Sequence, residues 1–564
     1  MTEVISDPRP LLAVLVSAIA VVLIIASYRR PNVREGWSVV AAVTKFLIIA
    51  SMLPGVLDGK IYVWTFGPFV SDIEFALRAD PLGMLFAFLA SFLWIFTAFY
   101  ATGYMRGLNE HAQTRFFAAF AASLSTAVGI AFAQNLLTIF IFYELLSLVT
   151  YPLVAHNEDD EARIAGRKYL TYTFIGGGVF LLAGTVLTYH LTAQHSPTGT
   201  VDFVAGGMPA MADVAAADPL FAQITFGLLA AGFGVKAAVM PLHSWLADAM
   251  VAPTPVSGLL HAVAVVKSGA FGVARVILDV FGVEVTSDIG MHLPVAALAA
   301  FTLVAASIIA LRKDNLKRRL AFSTTAQLSY IVLGLSLLHP LALIGALLHI
   351  PAHAFGKLTL FFCAGAIHVE THTDNISDMA GIGKRMPLTM GAFTVGAAGM
   401  AGIPLVAGFV SKFYLLIGAL GAGGIDGPGV ADPVMSLGAG LVFASALILS
   451  GILNIAYFWP IIYTAYFESE DVYDAKPLLE YPIGGQRRSA TDALTDGGHD
   501  DHHHGGAPPG GWDRRTPWTE STWLMIVPIT LLALGALVLG VIPDHAVFLE
   551  LVRHIVASVT EVTV

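Results

Sequence analysis

Four lysines lie in the middle of long apolar stretches, where water cannot solvate a charge: Lys236, Lys267, Lys357 and Lys412. Placing a charged side chain at the centre of a bilayer costs about 2.5–3.5 kcal/mol on insertion scales. Ionisable groups at such depth typically belong to ion pathways or proton relays, because packing against hydrocarbon gives no reason to keep them. We therefore expect these lysines to take part in moving protons.

Acidic and imidazole groups complete the set. Glu144 is an isolated carboxylate in the apolar stretch NLLTIFIFYELLSLVTYPLV, and Lys236 is the natural candidate for its partner cation. His349, His353 and Lys357 follow one another at intervals of four residues, so on a helix they share one face with a total drift of about 80°. One histidine alone is an ordinary core residue, but such a row predicts a proton path.

Three further residues leave alternatives open. His261 precedes Lys267 by six residues, so the two point about 120° apart on an ideal helix and need water or a distortion to connect them. Lys45 can extend to the cytoplasmic surface from its position about two turns inside an apolar stretch. Arg275 can reach the outer interface in the same way, or it can be functional.

Long apolar segments must position these groups. The chain has 564 residues, of which 56% are hydrophobic and 12% charged, against about 25% charged in soluble domains. Segments of about 18 or more apolar residues can cross the bilayer as helices. We predict an all-α, polytopic membrane protein with about fourteen crossings, at 11–28, 37–55, 81–104, 115–133, 136–155, 168–190, 221–240, 255–281, 291–311, 318–338, 341–368, 387–421, 436–464 and 522–543.

The basic residues predict the orientation. With the N-terminus outside, 20 of the 30 lysines and arginines fall in cytoplasmic loops, 4 fall outside and 6 lie at membrane depth. This asymmetry is what the positive-inside rule predicts, and a miscount of one early crossing would abolish it. We expect a multi-pass protein of the cell (inner) membrane, with the N-terminus outside.

Two crossings carry helix-breaking residues in corresponding places. Crossing 7 contains Gly232, Gly234 and Pro241, and crossing 12 contains the Gly402-Ile403-Pro404 sequence before Lys412. Such breaks predict an inverted repeat of two five-helix units, crossings 4–8 and 9–13, with helices 7 and 12 broken. The predicted division is residues 1–110 for helices 1–3, 111–285 and 286–464 for the repeats, 465–521 for a cytoplasmic loop, and 522–564 for the last helix and tail.

The 465–521 loop is rich in Gly and Pro and contains the His499–Asp500–Asp501–His502–His503–His504 tract. Such a tract can bind metal weakly, but the composition favours a disordered linker. No phosphate-binding loop, metal-cluster ligand set or nucleophile constellation is visible in the sequence. We therefore expect no cofactor, no resident metal, no nucleic-acid partner and no enzyme activity of the chain's own.

Several segments are similar to a known family. NLLTIFIFYELL, GVKAAVMPLHSWLADAMVAPTPVSGLLHA, NLKRRLAFSTTAQLSY, HAFGKLTLFFCAGAI and GIPLVAGFVSKFYL resemble the antiporter-like subunits shared by Mrp-type multisubunit cation/proton antiporters and respiratory complex I. The resemblance covers about residues 80–465, and the motifs occur in order. It implies that the proton-path residues are Glu144, Lys236, Lys267, Lys317, His349, His353, Lys357 and Lys412, with His261 as an additional candidate from its position.

The departures from the family pattern are small. Ala247 and Leu405 stand where the family often has proline, and neither change removes a titratable group. Lys412 resembles the terminal lysine of the A-type and D-type Mrp subunits and of the distal complex I subunit. NISDMAGIGKRMPLTM and the short C-terminal segment are most similar to the D-type subunit of Mrp assemblies.

The resemblance implies a proton-translocating subunit of a multisubunit Na⁺/H⁺ antiporter, with other membrane subunits, protons and Na⁺ as partners. One alternative is a proton-pumping membrane subunit of a complex I-like or membrane-bound hydrogenase machine, driven by redox chemistry elsewhere. An alternative of another class is a transport-inactive membrane scaffold for a soluble partner.

Overall fold

The computed structural model describes residues 3–70, 72–196, 199–425, 433–469, 506–508, 511–545 and 547–560. Within these ranges, eleven helices are long and apolar enough to cross a membrane. They are α1 Arg9–Ala26, α2 Pro31–Leu57, α3 Pro81–Gly107, α4 Gln113–Ala131, α5 Leu136–Val154, α6 Asp160–His195, α8 Pro219–Lys236, α13 His292–Leu311, α15 Pro340–Thr371, α18 Leu437–Phe467 and α19 Trp523–Val541. The prediction of a polytopic helical membrane protein is confirmed.

The other predicted crossings are helical but differ in length or polarity. Three short helices, α10 Thr254–Gly258, α11 Val265–Arg275 and α12 Gly282–Asp288, are joined by π-helical turns at Leu259–Val263 and Val276–Phe281. Helix α14, Leu316–Ser336, has a more polar sequence. Crossing 12 is divided into α16 Pro387–Ala401 and α17 Ala407–Ala422. The count of fourteen crossings stays a prediction.

Short elements complete the described chain. Along the chain, the helices α7 Pro209–Ala217 and α9 Ser244–Asp248 precede and follow α8, and α20 Val547–Thr560 follows the last apolar helix. One turn of α6, Ile175–Leu181, is π-helical, and single 3₁₀ turns occur at Ala249–Val251, Ile376–Asp378, Ile382–Lys384 and Pro543–His545. Most of the predicted 465–521 loop, including the histidine tract, lies outside the described residues.

Two helices begin in the same way, as an internal repeat predicts. Asn135 caps α5 by accepting a hydrogen bond from the Thr138 N–H, and Asn315 caps α14 by accepting one from the Arg318 N–H. Each asparagine also forms an isolated antiparallel bridge, to Asp202 and Asn375 respectively, in the segment after the following long helix. The start of α14 thus has the same local geometry as the start of α5, and the division into two repeats stays a prediction.

Helix α15 is the most enclosed of the eleven apolar helices, with 94% of its most apolar window buried inside the protein. It packs against α14, α16, α17 and α19, and it also contacts the short C-terminal helix α20. A helix that is buried all round cannot direct a polar side chain to water, so each polar group on α15 must find a partner within the protein.

A small sheet that sequence analysis did not predict covers one end of the helices. Its strands are β1 Glu3–Ser6, β2 Lys60–Val70 and β3 Ile73–Ala79, with β1 parallel and β3 antiparallel to β2. The β2 sequence KIYVWTFGPFV is rich in aromatic and β-branched residues, which favour strands. The hairpin gives no signal in a search for long apolar helices, because its strands are short and half-exposed.

The basic residues predict which loops lie on the same side of the membrane. In the structure, loops assigned to the same side contact one another. Arg106, at the end of α3, pairs with Glu35 near the start of α2. Arg318, at the start of α14, pairs with Glu161 at the start of α6 at 3.0 Å. These contacts join four of the segments predicted to face the cytoplasm, as the alternation of crossings requires.

One of the two alternatives for Arg275 was that its side chain reaches the outer interface. The structure excludes this alternative. The Arg275 guanidinium is 1% exposed and forms ion pairs with Asp80 at 2.7 Å and with Asp279 at 2.6 Å. Asp80 also caps α3 by accepting a hydrogen bond from the Gly83 N–H. Because arginine is always charged in proteins, two carboxylates at this depth fix a permanent ion cluster that joins α3 to α11.

Replacing Arg275 by methionine should destabilise the fold by about 3–5 kcal/mol, because it leaves the buried Asp279 without its cation. Asp80 would keep only Arg78, whose Nε is 3.6 Å from Oδ2. Arg9→Gln is the matched control, since the Arg9–Asp7 pair is 30% and 17% exposed and is worth about 0–1 kcal/mol. Thermal and denaturant unfolding in detergent micelles measures both losses. Equal stability of the two variants would contradict a structural role for the Arg275 cluster.

Candidate functional site

Lys236 is the last residue of α8, and its ammonium is completely buried. Lys236 is the predicted partner cation of Glu144, but its Nζ donates to the backbone carbonyl of Tyr143 at 2.5 Å and lies 3.4 Å from the centre of the Tyr143 ring. Glu144 is the next residue after Tyr143, and its buried Oε1 has no hydrogen-bond partner among the described residues. The two groups are neighbours without a fixed contact.

A glycine makes room for the Glu144 carboxylate. Gly177 lies in the π-helical turn of α6, and a Cβ there would overlap Oε1 of Glu144. The adjacent Gly178 faces open space instead. The π-turn therefore brings a residue without a side chain against the acid, which explains why a glycine is needed at the first position and not at the second.

Helix α8 ends against a second glycine. The backbone of Lys236 and Ala237 lies directly against Gly269 of α11, where a Cβ would collide with it. Lys267 stands two residues earlier on the same helix and is 1% exposed. Close approach of these backbones brings the Lys236 end of α8 beside the helix that carries the next lysine.

Lys267 connects α11 to the centre of the protein. Its Nζ lies 2.8 Å from Nδ1 of His353 on α15, and both side chains are buried. One turn earlier on α15, the His349 ring centre is 6.1 Å from that of His353. The row of histidines predicted from the spacing thus exists and receives a lysine from another helix.

Beyond His349 the contacts continue to the broken crossing. His349 contacts the Ser411 hydroxyl through Nδ1 at 2.8 Å and the Gln327 amide oxygen through Nε2 at 2.9 Å. The Gln327 amide nitrogen donates to the Met400 carbonyl at 3.3 Å, and Lys412 donates to the same carbonyl. We name Lys267, His353, His349, Gln327 and Lys412, with the Met400 carbonyl, the central polar row.

The helix break explains why the Met400 carbonyl is available. Helix α16 ends at Ala401, and Gly402 adopts a left-handed conformation with φ of 86°. The last carbonyls of a helix lack partners within it. The Met400 carbonyl is therefore free to accept a hydrogen bond from Lys412 of α17. The Gly402-Ile403-Pro404 sequence thus both ends α16 and leaves an acceptor for this lysine.

Two predicted residues lie beside the central polar row. Lys357 is completely buried and donates to the Leu320 carbonyl of α14 at 3.0 Å. His261 lies in the π-turn Leu259–Val263, with its ring centre 4.9 Å from that of Phe361. Within the described part of the chain, both His261 ring nitrogens are buried without a hydrogen-bond partner. This histidine can therefore accept a water molecule or a proton that arrives from elsewhere.

Lys317 and Lys45 lie apart from the central polar row. Lys317 is half-buried in the first turn of α14, at the loop end of that helix. Lys45 does not extend to the cytoplasmic surface, which was one of the alternatives left open for it: it is 0% exposed and donates to the Leu124 carbonyl of α4 at 2.8 Å. Its stem is enclosed because α2 packs against α3 and α4.

Three buried lysines and one half-buried lysine share one kind of partner. Each side chain donates to a main-chain carbonyl on another helix; the four are Lys45, Lys236, Lys357 and the half-buried Lys412. A carbonyl oxygen has a second lone pair for such a bond and accepts from an ammonium or a neutral amine alike. These contacts therefore hold the side chain in place without fixing its charge, in contrast to the carboxylates around Arg275.

Sequence analysis missed several members of this arrangement. Gln327 is an amide in the middle of a predicted crossing, and that position was a usable signal. Ser411 directly precedes Lys412 and could have been found for the same reason. The role of Gly177 and of the Met400 carbonyl has no signal in the sequence, because both depend on which helix packs alongside.

The fold and the site define a multi-pass membrane protein with ionisable groups aligned through its interior. Residues 133–427 match the family described as NADH:quinone oxidoreductase/Mrp antiporter, TM, and residues 66–117 match NADH-Ubiquinone oxidoreductase (complex I), chain 5 N-terminus. The chain belongs to this family of antiporter-like and complex I membrane subunits.

Relatives of both kinds are similar in sequence. The N subunit of NADH-quinone oxidoreductase from Desulforudis audaxviator is 34% identical over 73% of this chain and 76% of its own. The A/B subunit of a probable K(+)/H(+) antiporter from Rhizobium meliloti is 33% identical over 66% of this chain. The L subunit of NADH-quinone oxidoreductase from Escherichia coli is 33% identical over 68%. The chain spans only 36% and 61% of the last two relatives.

Two solved structures share the fold. The Mrp complex from Dietzia sp. DQ12-45-1b contains a chain that matches with a TM-score of 0.73 at 22% identity, over 98% of this chain and 97% of that one. The membrane-bound sulfane sulfur reductase, an archaeal respiratory membrane complex, contains one with a TM-score of 0.74 at 22% identity, over 98% and 100%. The fold thus occurs in an Mrp complex and in a respiratory complex.

Gly177→Ala should cost no more than about 0.5–1.5 kcal/mol of stability, because the added methyl group must displace the Glu144 carboxylate, which is the free end of a flexible side chain. Gly178→Ala, one residue further in the same π-turn, should be neutral or slightly stabilising. Unfolding in detergent measures both. In the double variant Glu144→Ala/Gly177→Ala the loss should be smaller than the sum of the single losses, and strict additivity would contradict the contact.

Proposed function

We propose that the chain is a proton-translocating subunit of a multisubunit monovalent cation/proton antiporter of the Mrp type, with Na⁺ as the coupled ion and other membrane subunits as partners. The observation that carries the proposal is the central polar row, in which Lys267, two histidines, Gln327 and Lys412 follow one another through the protein interior. Sequence similarity to part of a probable antiporter and the fold of an Mrp complex chain support it.

Glu144 and Lys236 act in this proposal as the entry switch. A carboxylate that approaches a buried lysine favours its charged form, and one that withdraws favours release of the proton. Glu144 Oε1 has no partner among the described residues, and Lys236 is held by a carbonyl. The distance between the two charges can therefore change without breaking a hydrogen bond. The proton released from Lys236 passes to Lys267 on the adjacent helix.

Transfer along the row uses imidazole and water. Lys267 gives its proton to Nδ1 of His353, and ordered water carries it over the gap to His349, whose ring centre is 6.1 Å away. Histidine suits this position because one ring nitrogen can take up a proton while the other releases one.

The second half of the path leads from His349 to Lys412, at the exit or entry half-channel. Gln327, Ser411 and the Met400 carbonyl hold this part of the path. Lys357 and His261 would line the same path, since both are buried beside the central polar row.

Orientation and division of the chain belong to the same proposal. We place the protein in the cell (inner) membrane with its N-terminus outside, which gives the observed loop contacts a cytoplasmic location. Residues 111–285 and 286–464 are then the two inverted units, and the Asn135 and Asn315 caps lie on opposite sides of the membrane.

A second candidate function is a proton-pumping membrane subunit of a redox-driven complex. It is favoured by the 34% identity to an NADH-quinone oxidoreductase N subunit over 73% of this chain. The same relay would serve, but the driving force would come from electron transfer in other subunits. If neither a sodium gradient nor a redox donor moves protons, the chain is a transport-inactive scaffold.

Lys236→Met and Glu144→Gln should each reduce proton transport by about a hundredfold, because each removes a proton acceptor from the relay. The assembled complex is placed in lipid vesicles, a Na⁺ gradient is imposed, and the internal pH is followed with a fluorescent dye. Lys60→Gln is the control, since Lys60 begins strand β2 of the small sheet and is no part of the central polar row. Intact transport in either relay variant would refute the assignment.

The same vesicles separate the two candidate functions. An antiporter acidifies or alkalinises the interior when only Na⁺ is supplied, whereas a redox-driven pump responds only to an electron donor and acceptor. Proton movement that depends on redox substrates and ignores Na⁺ would replace the first proposal by the second.

Gln327→Leu should lower transport at least about tenfold, because it removes the amide that joins His349 to the Met400 carbonyl beneath Lys412. Ser336→Ala on the same helix is the control, since the buried Ser336 hydroxyl donates to the Val332 carbonyl of its own helix. Equal transport rates in the two variants would show that protons do not pass between His349 and Lys412 by way of Gln327.

A further inference from the structure

Two loops outside the central polar row bring three metal-ligand side chains together. Glu110 and His111 lie in the connection between α3 and α4, and His156 lies in the connection between α5 and α6. One ligand atom from each lies within 4.8 Å of the other two. Glu110 Oε2 is 3.6 Å from Nδ1 of His111 and 3.9 Å from Nε2 of His156.

His156 is the unusual member. Its side chain is 0% exposed, yet neither ring nitrogen has a hydrogen-bond partner among the described residues. A buried imidazole without partners loses the hydrogen bonds that it makes to water in the unfolded chain, and this loss destabilises the fold. Since its Nε2 lies near the Glu110 carboxylate, a ligand between the two would satisfy it.

His111 already has the tautomer that a metal ligand needs. Its Nε2 lies 2.9 Å from the backbone carbonyl of His156, and because a carbonyl can only accept, Nε2 carries the hydrogen. Nδ1 then has the free lone pair, and it is the atom that approaches Glu110. Metal-bound histidines usually donate their second ring N–H to a carbonyl or carboxylate in this way.

The Arg115 guanidinium is held away by Glu158 and by the His156 carbonyl, to which it donates at 3.0 Å.

We propose that Glu110, His111 and His156 form a binding site for a Zn²⁺-like transition-metal ion that ties the α3–α4 connection to the α5–α6 connection. Two imidazole nitrogens and one carboxylate favour Zn²⁺ over Mg²⁺ and Ca²⁺, which prefer oxygen ligands. Ligand atoms around tetrahedral Zn²⁺ stand about 3.3–3.5 Å apart, given bonds of roughly 2.0–2.2 Å, so the three side chains need only a small inward rotation. The fourth position is left for water.

No pattern in the sequence indicated this site. His156 is 45 residues away from His111, so no ligand spacing is visible, and only the histidine tract at 499–504 suggested metal binding. That tract must be removed before the site is tested, because it would bind metal in its own right. The parent protein for the experiment is the full chain, purified without a histidine tag and with alanine at His499, His502, His503 and His504.

Isothermal titration of this parent with ZnCl₂ in detergent should give one Zn²⁺ per chain, and Zn²⁺ should raise its unfolding temperature. His111→Ala and Glu110→Gln should each weaken binding at least about tenfold and remove the thermal shift. Both side chains reach the surface, so these variants should fold normally, and gel filtration checks this. His195→Ala, an exposed histidine at the far end of α6, is the control and should bind as the parent does.

His156→Ala should abolish binding, but because it alters a buried residue the two surface variants decide the outcome. Failure of the parent to bind Zn²⁺ would overturn the proposal, and so would unchanged affinity in both His111→Ala and Glu110→Gln. Displacement of Zn²⁺ by an equal concentration of Mg²⁺ would also overturn it, because it would show an oxygen-type site. Retained proton transport in any of these variants leaves the proposed transport function untouched.

Discussion

The cost of removing an ammonium group from water governs the interior of this protein. Hydrocarbon offers no hydrogen-bond acceptors, so every buried lysine must find one inside the protein. Lys45, Lys236 and Lys357 find it in main-chain carbonyls of neighbouring helices, and Lys267 finds it in an imidazole. The half-buried Lys412 also donates to a main-chain carbonyl. The packing of the helices therefore also decides which ionisable groups lie next to one another.

The kind of partner separates structural charges from those suited to transfer. Arg275 is enclosed by two carboxylates, which favour a permanent positive charge and fix α3 against α11. The lysines face neutral acceptors that bind an amine in either protonation state. A relay needs groups that can change charge while they stay in place, and the second arrangement has this property.

Three departures from regular helix geometry lie at candidate functional positions. The π-turn of α6 presents Gly177 to Glu144, the π-turn after Gly258 carries His261, and the break after Ala401 frees the Met400 carbonyl for Lys412. Non-helical backbone at membrane depth is tolerated where it is surrounded by protein or lines a cavity. Such turns and breaks are also common at functional sites in soluble helices.

Hydropathy and spacing were enough to predict the helical membrane fold, the face shared by His349, His353 and Lys357, and the broken helices. They failed for Lys45, because distance from the end of one helix does not reveal that two others enclose it. They also missed the hairpin at 60–79, whose strands are too short and too exposed to give a strong apolar signal.

What the sequence determined by itself is the class of protein and the depth of each ionisable group, because both follow from the local run of apolar residues. What only the tertiary structure decided is the partner of each group: the Tyr143 carbonyl for Lys236, His353 for Lys267, and Gln327 between His349 and the Met400 carbonyl. These partners lie 22 to 93 residues apart along the chain. Periodicity describes one helix, whereas a hydrogen bond between helices depends on how they pack.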